Sequence, residues 1–270
     1  MSAFQKTVKY LAMAVAAFLA VSILGGILGA AGLIGGLFTA PSIAGETLEY
    51  TVNTPIQSLD VQINAADFVI READTFSVES NLKDLSISEE NGVLVIKEKQ
   101  KWAAVYTDTY LTLSIPADTV FEKVRIVTGA AKLTADCLQA DTLKLQLGAG
   151  DVHITKLYAS SKADIEGGAG KITIADGSLK NLELEMGVGE LNLTAALLGN
   201  SDLAFGVGES NLALLGSRED YAVEMEKGIG SIAIDGKMVT DFGCCGNGAN
   251  RVEIESGIGA IHVQFRETGF

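Results

Sequence analysis

The stretch Leu143-Lys144-Leu145-Gln146-Leu147-Gly148-Ala149-Gly150-Asp151-Val152-His153-Ile154 decides the fold. Aliphatic residues alternate with polar ones on both sides of a Gly-Ala-Gly triplet. A period of two turns one face of a strand inward and the other outward. Glycine between two such strands makes a corner, because it bends without a Cβ penalty.

The same pattern repeats down the chain. Triplets of the form G-x-G begin at Gly148, Gly168, Gly187, Gly206, Gly228 and Gly257, and a degenerate copy starts at Gly129. The spacings are 19, 20, 19, 19, 22 and 29. Five and three residues before the first glycine stand Val124 and Ile126, Leu143 and Leu145, Ala163 and Ile165, and Leu182 and Leu184. Later copies give Ser201 and Leu203, Val223 and Met225, and Val252 and Ile254. Four and six residues after it stand pairs such as Val152 and Ile154, Ile172 and Ile174, Leu191 and Leu193, and Ile261 and Val263. One copy buries almost nothing, so copies must stack, at about 4.8 Å per layer. The expected fold is all-β: a single-stranded β-solenoid (β-helix) of about 19-residue coils with G-x-G corners, stacked in chain order. The longer spacings add loops to the late coils.

The regular repeats are expected over residues 121–265, within a solenoid domain of residues 45–270. Its first coils, 45–120, fit less regularly. Leu59, Val61, Ala66, Phe68 and Ile70 match the template with Asn64 at the glycine position, and asparagine tolerates left-handed backbone. Alternating runs at Phe76–Val78, Leu85–Ile87, Val93–Ile96 and Leu111–Ile115 read as strands. Asn91-Gly92 between two of them is a hairpin signal. Lys97–Lys101 followed by Trp102 reads as an excursion from the stack.

Residues 1–44 are expected to form a short cytoplasmic stub and one transmembrane α-helix, about 11–38. No charged residue occurs between Lys9 and Glu46, and a bilayer core needs only about 20 apolar residues. Lys6 and Lys9 before the helix place the N-terminus in the cytoplasm and the solenoid outside. A cleaved signal peptide ending at Ser42-Ile43-Ala44 competes with this reading, but the apolar stretch exceeds a signal core of roughly 7–15 residues. Gly25, Gly29, Gly32 and Gly36 line one face of the helix, where a second backbone can approach closely. Self-association through that stripe is an expectation, beside generic glycine enrichment of membrane helices.

The formal net charge is −14, and nothing resembles a basic stripe. Nucleic acid is therefore excluded as a partner, and cationic partners are favoured. Three cysteines, Cys137, Cys244 and Cys245, form neither a disulfide framework nor a zinc motif. Cys244 and Cys245 read as two loop thiols or a strained vicinal disulfide.

The run Leu113-Ser114-Ile115-Pro116, the run Phe121-Glu122-Lys123-Val124-Arg125-Ile126 and the ordered series of GAG, GVG and GIG corners together resemble the DUF4097 family of adhesin-like β-strand-repeat proteins. The resemblance covers roughly residues 45–270. It implies a bacterial, envelope-associated β-solenoid, with envelope stress as a setting. It carries no catalytic residues, and no wall-sorting signal follows the repeats.

No cofactor or metal site is expected. Each G-x-G is followed by another strand, whereas a dinucleotide fingerprint needs a helix there. A calcium β-roll needs tandem nine-residue motifs, and Asp151 has no repeated equivalents. His153 and His262 fall between inward aliphatics, point outward and sit five copies apart, about 24 Å. One constellation remains. Four and two residues before the glycines stand Asp164 and Glu166, Glu183 and Glu185, Asp202, Glu224 and Glu226, and Glu253 and Glu255. Stacking places them in two columns on one sheet face, with no Arg or Lys interleaved, where like charges repel. Basic peptides, polyamines or divalent cations would relieve that repulsion; the plainer reading is a solvated face. The expected function is a non-enzymatic, membrane-anchored binding or scaffold module. A carbohydrate-active β-helix enzyme and a signalling protein that oligomerises through its helix are the alternatives.

Overall fold

The computed structural model describes residues 44–99, 108–239 and 242–267. The expected membrane helix, with Gly25, Gly29, Gly32 and Gly36, lies outside these residues, as do residues 100–102 of the expected excursion, whose first residues, Lys97 and Glu98, instead end a strand. Among the described residues no helix is long and apolar enough to cross a membrane.

The regular elements of the described chain are all strands, apart from one 3-10 turn at Arg218–Asp220. The N-terminal elements are β1 (Ala44–Thr51), β2 (Ser58–Ile63), β3 (Asp67–Ala73), β4 (Ser77–Leu82), β5 (Leu85–Glu90), β6 (Val93–Glu98) and β7 (Tyr110–Pro116). The repeats follow as β8 (Phe121–Ala130), β9 (Lys132–Lys180), β10 (Leu182–Leu198) and β11 (Asn200–Leu215). The C-terminal elements are β12 (Tyr221–Glu226), β13 (Ile229–Ile234), β14 (Lys237–Val239), β15 (Phe242–Cys245) and β16 (Asn250–Arg266). β9 alone runs through more than two coils as one unbroken strand, corners included.

Successive middle coils pair in parallel with equivalent residues opposite one another. Val124 faces Leu143, Leu182 faces Ala163, and Leu184 faces both Ile165 and Leu203. Beyond the corner, Ile172 faces Leu191 and Leu191 faces Ser210. Every inward position counted from the repeated glycines is buried, including Ser201 and Ser210. The architecture is solenoid-like, with one continuous core cluster running down its length.

The two glycines of a corner serve different needs. The second has positive φ, +144° at Gly189 and +147° at Gly208. The first does not, and its requirement is clearance: a methyl on Gly168 would strike the carbonyl oxygen of Gly148 in the coil below. Asn64 occupies a first-glycine position and is likewise not left-handed, contrary to the reason given for it above.

The stacking order differs from chain order at both ends. The last coil, β16, lies between β11 and the coil formed by β12 and β13. Leu203 faces Ile254, and Ile254 faces Met225; beyond the corner Ser210 faces Ile261, and Ile261 faces Ile232. The chain climbs past one layer through the 3-10 turn and leaves a slot that its own C-terminal strand fills. Tyr221 secures that climb. Its hydroxyl donates to the Leu215 carbonyl at 2.6 Å and accepts from the Leu197 N–H at 3.3 Å, and its ring packs on Phe265. The other end mirrors this arrangement. β2 lies between β6 and β8, and β3 between β7 and β9.

Antiparallel strands cover both ends: β4 pairs with β7 and β1 with β4, β5 with β6, β14 with β13, and β15 with β12. Asn91 and Gly92 make the β5–β6 turn, with φ of +51° and +77°. Reversed strands block further parallel stacking at the ends of the pile, where open ladders invite aggregation.

Candidate acidic face

The outward positions before each corner form two columns. In spatial order the first reads Arg125, Lys144, Asp164, Glu183, Asp202, Glu253 and Glu224, and the second Val127, Gln146, Glu166, Glu185, Ala204, Glu255 and Glu226. The nine carboxylates singled out from the sequence thus share one wall. Inversion of the last two coils brings Glu253 beside Asp202 and moves Glu224 and Glu226 to the end.

Lys144 at the head of the first column, and two cations that stand outside the columns, reach these carboxylates. Lys144 Nζ lies 2.7 Å from Asp164 and 2.8 Å from Glu166. Lys162 lies 2.8 Å from Glu183, and Arg251 bridges Glu224 at 3.0 Å and Glu253 at 2.6 Å. Lys162 and Arg251 each precede the columns by two residues, and a long side chain reaches the neighbouring coil. Five of the nine carboxylates are therefore compensated. Glu185, Asp202, Glu226 and Glu255 have no cationic partner among the described residues.

The protonation balance follows this division. Hydrogen bonds from Gln146 and then Lys144 hold Glu166 below the ordinary carboxylate range. Hydrogen bonds to Asp164 and Glu166 raise Lys144 in turn. Glu255 shifts the other way: burial raises it first, and the carboxylates of Glu226, Glu253 and Asp202 add to that. Glu166 is thus balanced by its neighbours, while Glu255 stands among further carboxylates.

The wall beyond the corner carries a hollow of about 310 Å³ lined by Asn192, Thr194, Asn211, His262, Gln264 and Arg266, among others. Asn211 Nδ2 donates to Asn192 Oδ1 at 3.1 Å across one layer of that wall. His262 sits four layers from His153, about 19 Å, because β16 enters the stack early. The two cannot act on one substrate atom. Among the described residues no group of three or more His, Cys, Asp or Glu is placed to hold a metal ion. Burial, followed by Glu72, raises the Cys137 thiol, which disfavours the reactive thiolate.

The chain is similar in structure to a "putative adhesin" from Bacteroides fragilis, at 12% identity and a TM-score of 0.47, over 83% of this chain and 99% of that one. It is also similar to a "putative adhesin" from Parabacteroides distasonis, at 15% identity and a TM-score of 0.43, over 84% and 100% of the two chains. A "putative cell adhesion protein" from Clostridium sporogenes matches at 13% identity and a TM-score of 0.39, over 82% and 99%. No curated protein sequence matches. The Toastrack DUF4097 family model matches residues 56–264, nearly the whole stack from its first buried coil to its last, and the chain belongs to that family.

Proposed function

We propose that this chain is a non-enzymatic, membrane-tethered binding module displayed outside the cell, in which the solenoid is a rigid support and its acidic face takes cationic ligands. One observation carries this reading: Glu185, Asp202, Glu226 and Glu255 lie in neighbouring columns of a stiff wall without cation partners among the described residues, while each of the other carboxylates of the face already has one. Like charges on adjacent strands repel by about 0.2–1 kcal/mol each, so a polycation gains by bridging them. The charge-free stretch between Lys9 and Glu46 supports the tether, with the N-terminus cytoplasmic. The glycines at 25, 29, 32 and 36 support pairing of two such tethers. The adhesin-like role in the envelope, with envelope stress as its setting, rests on the resemblance drawn from the sequence.

The test replaces Glu185, Glu226 and Glu255 with Gln and Asp202 with Asn together. Titration with oligolysine at low salt should show at least a tenfold loss of affinity, and wild-type binding should weaken steeply with salt. Unchanged affinity contradicts the reading.

A further inference from the structure

The residue between the two glycines of each corner points out of the stack. In spatial order these residues are Ala130, Ala149, Ala169, Val188, Val207, Ile258 and Ile229. The side chains grow along the row. Val188 and Val207 are each 38% exposed, Ile258 51% and Ile229 72%. A single exposed valine needs no account, but four aliphatics in line, each flanked by glycines, make a continuous uncovered strip.

The spacing of the strip constrains what fits it. Its four large residues advance one layer at a time, about 4.8 Å per step. Positions i, i+3, i+7 and i+10 of an α-helix share one face and span about 15 Å, close to the roughly 14.4 Å of three layer steps, so one helix face can set an apolar side chain against each layer. The flanks constrain the charge. Glu185, Glu255 and Glu226 stand three residues before Val188, Ile258 and Ile229, while Glu190 and Glu209 stand two residues after Val188 and Val207. Lys171 bridges Glu190 at 2.9 Å, and Lys227 precedes Ile229 by two residues. The other four carboxylates have no cationic partner among the described residues. A second copy laid strip to strip, or an anionic lipid surface, would bring like charge against these rails.

We propose that this strip docks a cationic amphipathic helix, with its apolar stripe on Val188, Val207, Ile258 and Ile229 and its lysines or arginines over Glu185, Glu209, Glu226 and Glu255. The inference rests on the cationic-ligand reading above and adds to it the apolar anchor that selects among polycations.

The experiment compares two synthetic peptides of equal charge on the full chain: an amphipathic Leu/Lys helix and an oligolysine. The Leu/Lys peptide should bind about tenfold tighter and persist at salt that releases oligolysine. The pair Ile229→Ser and Ile258→Ser should abolish that advantage and leave oligolysine binding unchanged, with the fold checked by circular dichroism. If the serine variants do not fold, the affinity ratio and salt response of the wild type still decide. Equal binding of the two peptides, or serine variants that weaken both alike, overturns the docking strip and leaves the acidic-face reading standing. Failure of both peptides to bind removes both readings. Wild-type dimers that the serine substitutions dissolve would assign the strip to a second copy and overturn the proposal.

Discussion

The middle of the stack and its two ends follow different rules. From β8 to β11 each coil pairs with its neighbours in sequence, at an almost constant pitch. At either end the chain passes over a layer, and the coil nearest the terminus fills it. The difference separates what a repeat encodes from what it leaves open. The pitch and alternation specify that coils pair in register. They do not specify which coils pair, because every coil presents the same ladder and the same inward aliphatics. At the ends the choice falls to the connections: the 3-10 turn with Tyr221, and the antiparallel strands that cover the outermost layers.

This contrast can be broken most severely by removing the inserted coil. Deletion of residues 250–270 takes away Val252, Ile254, Ile261 and Val263, all buried. At about 1.5–3 kcal/mol for each aliphatic, the loss is on the order of 10 kcal/mol, comparable to a whole domain's net stability. It also strips β12 and β13 of their parallel partner. Hydrogen exchange should show residues 221–249 unprotected and the edge at β11 exposed, while the middle coils keep their protection.

A middle corner should cost less but more than an ordinary point change. Gly189→Ala sets a side chain at φ +144° and against the Gly170 carbonyl oxygen. Backbone strain and overlap together should cost roughly 3 kcal/mol or more, seen as a shifted urea midpoint. The climb at Tyr221 is a smaller contribution. Tyr221→Phe removes one hydroxyl that donates to Leu215 and accepts from Leu197, and should cost about 1–3 kcal/mol by leaving those buried groups unpaired.

The acidic face should titrate in opposite directions at its two ends. Glu166 lies below its unfolded value, so its contribution is present at neutral pH and is lost as pH falls through the folded value. Glu255 lies above its unfolded value, so the folded state holds its proton longer and stability falls as pH rises through that window. Glu255→Gln should therefore raise the melting temperature at pH 7 and have no effect well below the ordinary glutamate pKa of about 4.3. Glu166→Gln should lower it at pH 7. The smallest expected effect is at Ser201, whose buried hydroxyl finds no partner among the described residues. Ser201→Ala should gain up to about 1 kcal/mol, read as a small rise in melting temperature.

Much of the fold was legible in the sequence, because period-two alternation and glycine pitch are local signals. Residues such as Leu145, Ile172 and Leu191 occupy the inward positions that the pattern gives them. The two acidic columns follow from the same count. Their compensation did not, because Lys162 and Arg251 act across a layer, and neither stands in the columns. The inversion at the C-terminal end was visible only as two long spacings, which also fit simple loop insertions, and the one at the N-terminal end left no mark in the glycine pitch. The aliphatic strip was missed because the residue between two glycines reads as filler until the layers are placed on one another.

Cross-linking tests the order of the layers most directly. With the native cysteines replaced by serine, cysteine pairs are placed at 209 and 260, at 231 and 260, and at 209 and 231. Glu209 faces Ala260, and Ala260 faces Ser231, so the first two pairs should oxidise to disulfides within one chain and the third should not. A disulfide between 209 and 231, without one between 209 and 260, would contradict the inserted coil and the facing of Glu253 with Asp202 that depends on it.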